Sequence, residues 1–581
     1  MNINKYLVIL FLCFVTFKSV HVLSRSEINK SQYNQINANP ILIEITWTAY
    51  DYDLHTIPSL QLVTNPLVSR QFSPITVAEL DPPSGLFQCS NVGENYSIHL
   101  SCEQGDGVIS KIDFASFGTA IGACGQMKQG TCNAANTSDI IQRACIGQQK
   151  CSVIASTDLF GDPCVGIPKR LLVQIECNPS QNNTYWDFTH MDPMLEDFLE
   201  ATDGHSRIIS FSTQPTWLFQ QDTPHIYPDN ATYVDWGYSV GTKFVDDTMH
   251  ALGDYYGRLF AWYTRGGFID EYGLKHNSGY EYDWDYTEIF NEVEAEHQMT
   301  VEYYTRAYDA VIQGIRRHTN NYDMKYVGMA LEYHNEFDWY RYFLNHSNHA
   351  PDIPLDMISY HFYAIGSSRI DPQSWESFFS QLDTFTFEVE EIEEIRKILS
   401  PETRTTIDEL GVILPDDNNP NAPLFPLVYW NAAAALYAYT WGKISRYDIN
   451  VVGHSQLVGY PQLPDLQLQP QYPSVALLNW TTVDINNDQA VTTRTSDIDN
   501  QNIFSQAFMS KNNNRRWVLI INKRYTNVDV FLPGCTGGRM QIINEASGFG
   551  PATEVTLTLS RITLSPFAVA IVHMPAAENK L

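Results

Sequence analysis

Beyond Cys177 the chain alternates long amphipathic stretches with short apolar runs. Apolar positions at helical spacing predict helices over Tyr233–Gly266, Glu296–Thr319, Gln373–Ile398 and Phe425–Tyr447. Strand-like runs lie between them at Arg207–Ser212, Thr287–Phe290, Lys325–Ala330, Asp356–Tyr363, Thr405–Asp408 and Ile449–Gly453. Helices alternating with single buried strands imply a parallel α/β sheet, and at this length a (β/α)8 barrel of the TIM type. From Ser474 to Pro575 the pattern shortens to runs at Val475–Trp480, Phe504–Met509, Trp517–Asn522, Val528–Leu532, Val555–Leu559 and Phe567–Val572, separated by Asn, Asp and Gly. Such spacing predicts a C-terminal β-sandwich, with Ile41–Thr48 as an added edge strand. The six barrel runs are two short of a closed ring. The missing pair should lie upstream of the cysteine-rich segment, yet six residues between Arg70 and Val77 cannot hold both a helix and a strand.

At the N-terminus, Lys5 precedes an apolar run from Tyr6 to Phe17 that is too short to span a bilayer, the layout of a cleavable signal peptide. No later stretch is long and apolar enough for a membrane helix. Sequons at Asn29, Asn95, Asn136, Asn182, Asn230, Asn345 and Asn479 agree with secretion into the extracellular space or another endomembrane lumen. Ten cysteines are present: Cys13 falls in the leader, Cys535 stands alone, and Cys89, Cys102, Cys124, Cys132, Cys145, Cys151, Cys164 and Cys177 crowd into one segment. An even, dense cluster in an oxidising compartment reads as a disulfide-stapled module, and the absence of any CxxC pair argues against zinc. The division expected is therefore 1–24 signal peptide, 25–86 N-terminal strands, 87–178 stapled module inserted ahead of the barrel, 179–465 barrel and 466–581 sandwich.

Composition narrows the function. Net charge is −30, which repels phosphate backbones and anionic membranes and makes nucleic acid a poor partner. Aromatic residues are 13% of the chain, suited to stacking on sugar rings as well as to cores. There is no dinucleotide fingerprint, P-loop or G-x-S-x-G elbow, and no cofactor is expected.

Within the stapled segment, the phrases Ile112-Asp113-Phe114-Ala115-Ser116-Phe117-Gly118-Thr119 and Phe160-Gly161-Asp162-Pro163-Cys164-Val165-Gly166-Ile167-Pro168-Lys169 are distinctive. With the eight cysteine positions, they make the segment resemble SUEL-type, galactose/rhamnose-binding lectin domains, in the version that ends plant β-galactosidases. The resemblance implies pairs Cys89–Cys124, Cys102–Cys177, Cys132–Cys164 and Cys145–Cys151. It implies carbohydrate contact or site shaping by Asp162, Lys169 and Phe117. Two departures stand out: Thr119 where sugar-binding members carry Arg, and Ser90 where they carry Glu. Both remove charge-assisted hydrogen bonds that would orient a sugar.

Two predicted barrel strands run into a glutamate, Tyr286-Thr287-Glu288-Ile289-Phe290-Asn291-Glu292 and Thr405-Thr406-Ile407-Asp408-Glu409-Leu410. Barrel chemistry sits at the C-terminal ends of strands, and glycosidic cleavage needs a carboxylic acid and a facing carboxylate. Asn291-Glu292 followed much later by Glu409, together with Ser359-Tyr360-His361-Phe362-Tyr363, resembles clan A glycoside hydrolases and family 39 most. That likeness implies Glu292 as acid/base, Asn291 on the substrate 2-hydroxyl, Glu409 as nucleophile, and His361 and Tyr363 lining the site. Asn335-Glu336 is the competing dipeptide, placed several residues past its strand. Glu294, Glu296 and His297 read as the first turn of the next helix rather than a metal cluster, and His346 and His349 as solvated. Trp186, Trp217 and Trp430 suit either sugar platforms or core. The expectation is a secreted retaining glycoside hydrolase acting on glycans, with no nucleic-acid partner. The alternative is a non-catalytic carbohydrate-binding protein with a degenerate barrel.

Overall fold

The computed structural model describes residues 39–64, 87–102, 107–121, 127–178, 186, 188, 191–202, 206–211, 214, 218–220, 241–270, 273, 275–416, 422–455, 487–512, 514–547 and 552–575. The predicted leader, Cys124, Trp217, the strand Val475–Trp480 and the sequons at Asn29, Asn182, Asn230 and Asn479 lie outside the described residues.

A closed barrel of parallel strands forms the centre. In chain order these are β1 (Ile57–Thr64), β2 (Ile208–Phe211), β3 (Tyr286–Glu288), β4 (Lys325–Leu331), β5 (Met357–Tyr360), β6 (Arg404–Ile407) and β7 (Val451–Ser455). Each pairs with its successor, and β7 closes on β1 through Val451 opposite Ile57. The ring is thus seven-stranded among the described residues rather than eight. The unrecognised strand Ile57–Thr64 does lie upstream of the stapled segment. Pro58 near its start is what makes it read poorly as a central strand.

The helices start later than their apolar spacing suggested. Of the helix expected over Tyr233–Gly266, residues 233–240 lie outside the described residues, and the helix His250–Thr264 starts after a left-handed turn at Met249. Val301–Thr319 begins where Thr300 caps it by accepting from the Tyr303 amide, and ends on left-handed Asn320. Its last turn carries Arg316, Arg317 and His318, which suit the negative end of the helix dipole. Glu294 and Glu296 belong to a separate single turn, Val293–Glu296, so they do not open that helix. The helices His250–Thr264 and Val301–Thr319 touch backbone to backbone: a Cβ on Gly314 would lie 1.9 Å from the Gly253 carbonyl oxygen.

Ile41–Asp53 pairs antiparallel with Asp488–Thr495 and parallel with Val528–Phe531, joining a nine-stranded sheet with the C-terminal strands. That sheet curls over on itself, because Asn522 at the end of Arg516–Asn522 donates to the carbonyls of Leu564 and Ser565, beyond four intervening strands. Its inner face holds Ile43, Val518, Val530, Ile562 and Val572 in one apolar cluster. The apolar helix Val428–Ile444 lies against both barrel and sheet: Trp441 donates to the Thr56 carbonyl and packs near Phe508 and Trp517.

Between β1 and β2 sits the cysteine-rich unit. Val108–Gly118 and Phe87–Gly93 flank Arg170–Asn178 in an antiparallel sheet, with Ser97–Ser101 paired to Lys150–Ile154 and a helix at Thr137–Cys145. Cys102–Cys177, Cys132–Cys164 and Cys145–Cys151 are disulfides, and Cys89 is also disulfide-bonded. The unit is docked to the barrel by Glu196 of the helix Met191–Ala201, which accepts from Arg170 Nη2 at 2.9 Å, the Gly93 amide at 3.0 Å and the Tyr280 hydroxyl at 3.2 Å. Among the described residues no helix is long and apolar enough to cross a membrane.

Candidate active site

The acidic residues picked from sequence converge where barrel strands break off. After β3 the chain passes Phe290 and Glu292 in left-handed conformations, and the Glu292 amide donates to the Ala330 carbonyl at 2.8 Å. Beside it β4 bulges at Met329 and Ala330, both also at positive φ, with a register break between Gly328 and Leu331. Such non-glycine conformations cost about 1–3 kcal/mol each and persist only where surrounding groups hold them. Here the Tyr304 hydroxyl accepts from the Met329 amide at 2.7 Å and donates to the Ile289 carbonyl at 3.1 Å, while the Ala330 amide donates to Ser359 Oγ.

β5 and β6 break similarly, at His361 and at Asp408-Glu409, before pairing again as Phe362–Ile365 with Leu410–Ile413. The Phe362 amide donates to the Glu409 carbonyl. His361 is buried between the two glutamates, with Nδ1 at 2.8 Å from Glu292 Oε1 and 3.4 Å from Glu409 Oε2. Ligating atoms of Glu292, His361 and Glu409 all lie within 4.8 Å of one another. The Tyr363 hydroxyl donates to Glu409 Oε2 at 2.7 Å. Asn291 Nδ2 donates to Glu296 Oε1, leaving its buried Oδ1 without a donor.

Burial raises both Glu292 and Glu409, and each is raised further by nearby acids. Glu292 is pushed up to about 8, first by desolvation and then by Glu332 and Glu288. Glu409 is pushed to about 7 by desolvation, with His361 and the Tyr363 hydrogen bond pulling back. Only Glu409 receives a phenol hydrogen bond, which favours its ionised form.

Sequence reading missed the layer beneath. Glu288 and Asp408 are fully buried; Ser359 Oγ donates to Glu288, and His361 Nε2 lies 3.9 Å from Asp408. Burial, then Glu288, raises Asp408 well above its ordinary range. The adjacency of Asp408 to Glu409, and of Glu288 four residues before Glu292, was the available signal. Glu292–His361–Glu409 and Glu288–His361–Asp408 are the described trios whose atoms could gather around a cation.

Glu336 is exposed ahead of the helix Phe337–Phe343 and belongs to neither trio. His297 is buried, Nδ1 facing the Gly241 carbonyl and the ring stacked on Phe219; burial holds it down at about 4. The histidines expected in solvent are engaged: His349 faces Asp309 and the Phe343 carbonyl at 2.7 Å each, and His346 faces Ser400. Trp430 is core, and Trp186 stacks on Phe188 and Tyr255.

In the stapled unit, Phe117 is fully buried and stacked on Phe160 at 4.9 Å, so its assignment to sugar contact is corrected to core packing. Lys169 is also buried, donating to the Ile167 carbonyl at 2.9 Å and pairing with Asp162 at 3.0 Å, which makes it a brace for that loop. Asp162 keeps about a third of its side chain exposed.

Comparisons with known proteins locate two likenesses. The D-galactoside/L-rhamnose binding SUEL lectin domain matches residues 100–177. Beta-galactosidase 6 of Oryza sativa subsp. japonica is 43% identical over 82 residues, 14% of this chain and 10% of that protein. Beta-galactosidase 8 of Arabidopsis thaliana is 44% identical over 81 residues, with the same coverage. The chain therefore spans about a tenth of the length of these curated relatives, within the lectin-like unit. Among solved structures, the GH51 arabinofuranosidase from Xanthomonas axonopodis pv. citri aligns with TM-score 0.43 and 13% identity, covering 67% of this chain and 78% of that one. CelM2, a bifunctional glucanase-xylanase from a metagenome library, aligns with TM-score 0.42 and 14% identity over 66% and 85%.

Proposed function

We propose that the protein is a secreted retaining glycoside hydrolase with a SUEL-type lectin unit set between the first two barrel strands. The observation that carries this reading is the meeting of Glu292 and Glu409, distant in sequence, with carboxylate oxygens within 4.8 Å. Retaining enzymes hold their carboxyl groups about 5–5.5 Å apart, and inverting ones about 6.5–9.5 Å. Glu292, protonated, gives its proton to the leaving oxygen. Glu409, ionised and held by Tyr363, attacks the anomeric carbon and forms a glycosyl ester. Glu292 then takes a proton from water, which cleaves that ester. Asn291 Oδ1 accepts from the sugar 2-hydroxyl, and His361 keeps the two acids in opposite protonation states.

The lectin unit, through the loop of Asp162 and Lys169, would hold a glycan near the barrel mouth and raise its local concentration. The test is turnover of aryl-glycosides by the wild type, Glu292→Gln and Glu409→Gln, with proton NMR of the first-formed anomer. Retention in the wild type, and loss in both variants, is expected. Galactose or rhamnose binding without turnover of any glycoside would favour the non-catalytic carbohydrate-binding alternative.

A further inference from the structure

Asn291 is buried, and the two ends of its amide meet different surroundings. Nδ2 donates to Glu296 Oε1 at 3.2 Å, while Oδ1 has no donor among the described residues. A buried acceptor left unmatched is costly, so such an atom beside a reacting group calls for a donor that arrives with the ligand. In the proposed mechanism that donor is the 2-hydroxyl of the sugar.

An amide presents donors at one end and an acceptor at the other, and what holds the far end decides which one faces the ligand. Glu296 is built to hold it. It closes the single turn Val293–Glu296, and its own amide donates to the Glu292 carbonyl at 2.7 Å. The turn is pinned at its far end. The His297 and Met299 amides both donate to the carbonyl of fully buried Val293. The buried His297 ring stacks on Phe219, with Nδ1 facing the Gly241 carbonyl. Glu294 of the same turn is engaged elsewhere, by the Tyr333 amide at 2.9 Å. Burial raises Glu296 well above the usual carboxylate range. A carboxyl group keeps an acceptor oxygen with or without its proton, so the hold on Nδ2 does not require a charge.

Building on the hydrolase reading, we infer that Glu296 is a positioning residue: by accepting from Asn291 Nδ2 it keeps Oδ1 turned to the reacting sugar. The site thereby selects glycosides with a free 2-hydroxyl over their 2-deoxy counterparts. Glu296 takes no part in the bond changes and acts through Asn291.

Two measurements test this. The first compares kcat/KM for an aryl-glycoside and its 2-deoxy counterpart, so that losses common to both sugars cancel in the ratio. Glu296→Met, which keeps the length of the side chain without an acceptor, should lower the 2-hydroxy preference at least about tenfold, as should the smaller Glu296→Ala. Glu296→Gln, which keeps an acceptor oxygen, should hold the preference within about threefold of wild type. In Asn291→Ala the preference should already be lost, and adding Glu296→Met should lower it by less than about twofold more. An unchanged preference in Glu296→Met or Glu296→Ala, an equal loss in Glu296→Gln, or a second full loss in the double variant would overturn the inference while leaving the hydrolase reading intact. The second measurement needs no turnover: calorimetric titration with deoxynojirimycin and with 1,2-dideoxynojirimycin, which differ only in the hydroxyl at that carbon. Wild type should bind the first about tenfold or more tightly, and the gap should close in Glu296→Met. A gap that survives Glu296→Met would overturn the inference alone. Binding of neither compound, together with no turnover of any glycoside, would remove the hydrolase reading and the inference with it.

Discussion

Residue-level chemistry turns on how far apart the environments push two similar side chains. Glu292 and Glu409 are both raised by burial, but only Glu409 receives a phenol hydrogen bond, which favours its carboxylate. The proposed mechanism needs Glu409 ionised and Glu292 protonated, which assigns the acid limb of a kcat/KM bell to Glu409 and its basic limb to Glu292. Both limbs should lie well above the ordinary glutamate value of about 4.3. Tyr363→Phe removes a donor to the ionised form of Glu409, so its acid limb should move upward while the basic limb stays; an unmoved acid limb would remove Tyr363 from this role. Replacing either glutamate by Gln should lower turnover by about 10²–10⁴-fold or more, measured on an activated aryl-glycoside. The same raised acids bear on stability. Between the unfolded carboxylate range and their folded values, the native state binds more protons than the unfolded chain, so stability falls as pH rises through that window. Glu292→Gln should flatten the fall, as read from denaturant midpoints measured across the pH range.

Elements place these groups by breaking rather than by continuing. The bulge at Met329-Ala330 accepts the Glu292 amide, and Tyr304 from the helix Val301–Thr319 holds both sides of it. Tyr304→Phe would leave a buried amide and a buried carbonyl unmatched, costing about 1–3 kcal/mol in denaturant unfolding and lowering kcat as Glu292 loses its seat. Gly314→Ala should destabilise the pair of helices outright, because the added methyl has no room against the Gly253 carbonyl. Wild-type thermal stability in that variant would contradict the close helix contact.

Periodicity exposed the strands Lys325–Leu331 and Arg404–Ile407, whose apolar residues face a core. It also exposed Glu292 and Glu409, because a polar residue closing such a run is conspicuous. It did not expose β1, which carries Pro58 at its second position, or the start of the helix His250–Thr264 after the Met249 turn. Nor did it place Phe117, since an aromatic beside Gly118 reads alike whether it stacks on a sugar or on Phe160. Those outcomes depend on tertiary neighbours that local pattern does not carry.

At the scale of the whole molecule, the lectin-like unit is docked rather than loosely strung. Arg170 and the Gly93 amide meet buried Glu196, and Asn277 donates to Ser101 across the same seam. Breaking one partner of a buried charged pair is costly, about 3–5 kcal/mol. Glu196→Ala should therefore loosen the unit, and limited proteolysis should cut between it and the barrel sooner than in the wild type. An unchanged digestion pattern would mean the seam is held by other contacts. The nine-stranded sheet takes Ile41–Asp53 from ahead of the barrel and pairs it with strands that follow the barrel in sequence. All of this serves the placement of two glutamates on one pocket. The most direct measurement is covalent trapping with a 2-deoxy-2-fluoro glycoside followed by peptide mass mapping. The account predicts a single sugar adduct on the peptide carrying Glu409, formed faster than it is released. An adduct on any other carboxylate, or inversion at the anomeric carbon in the product, would contradict it.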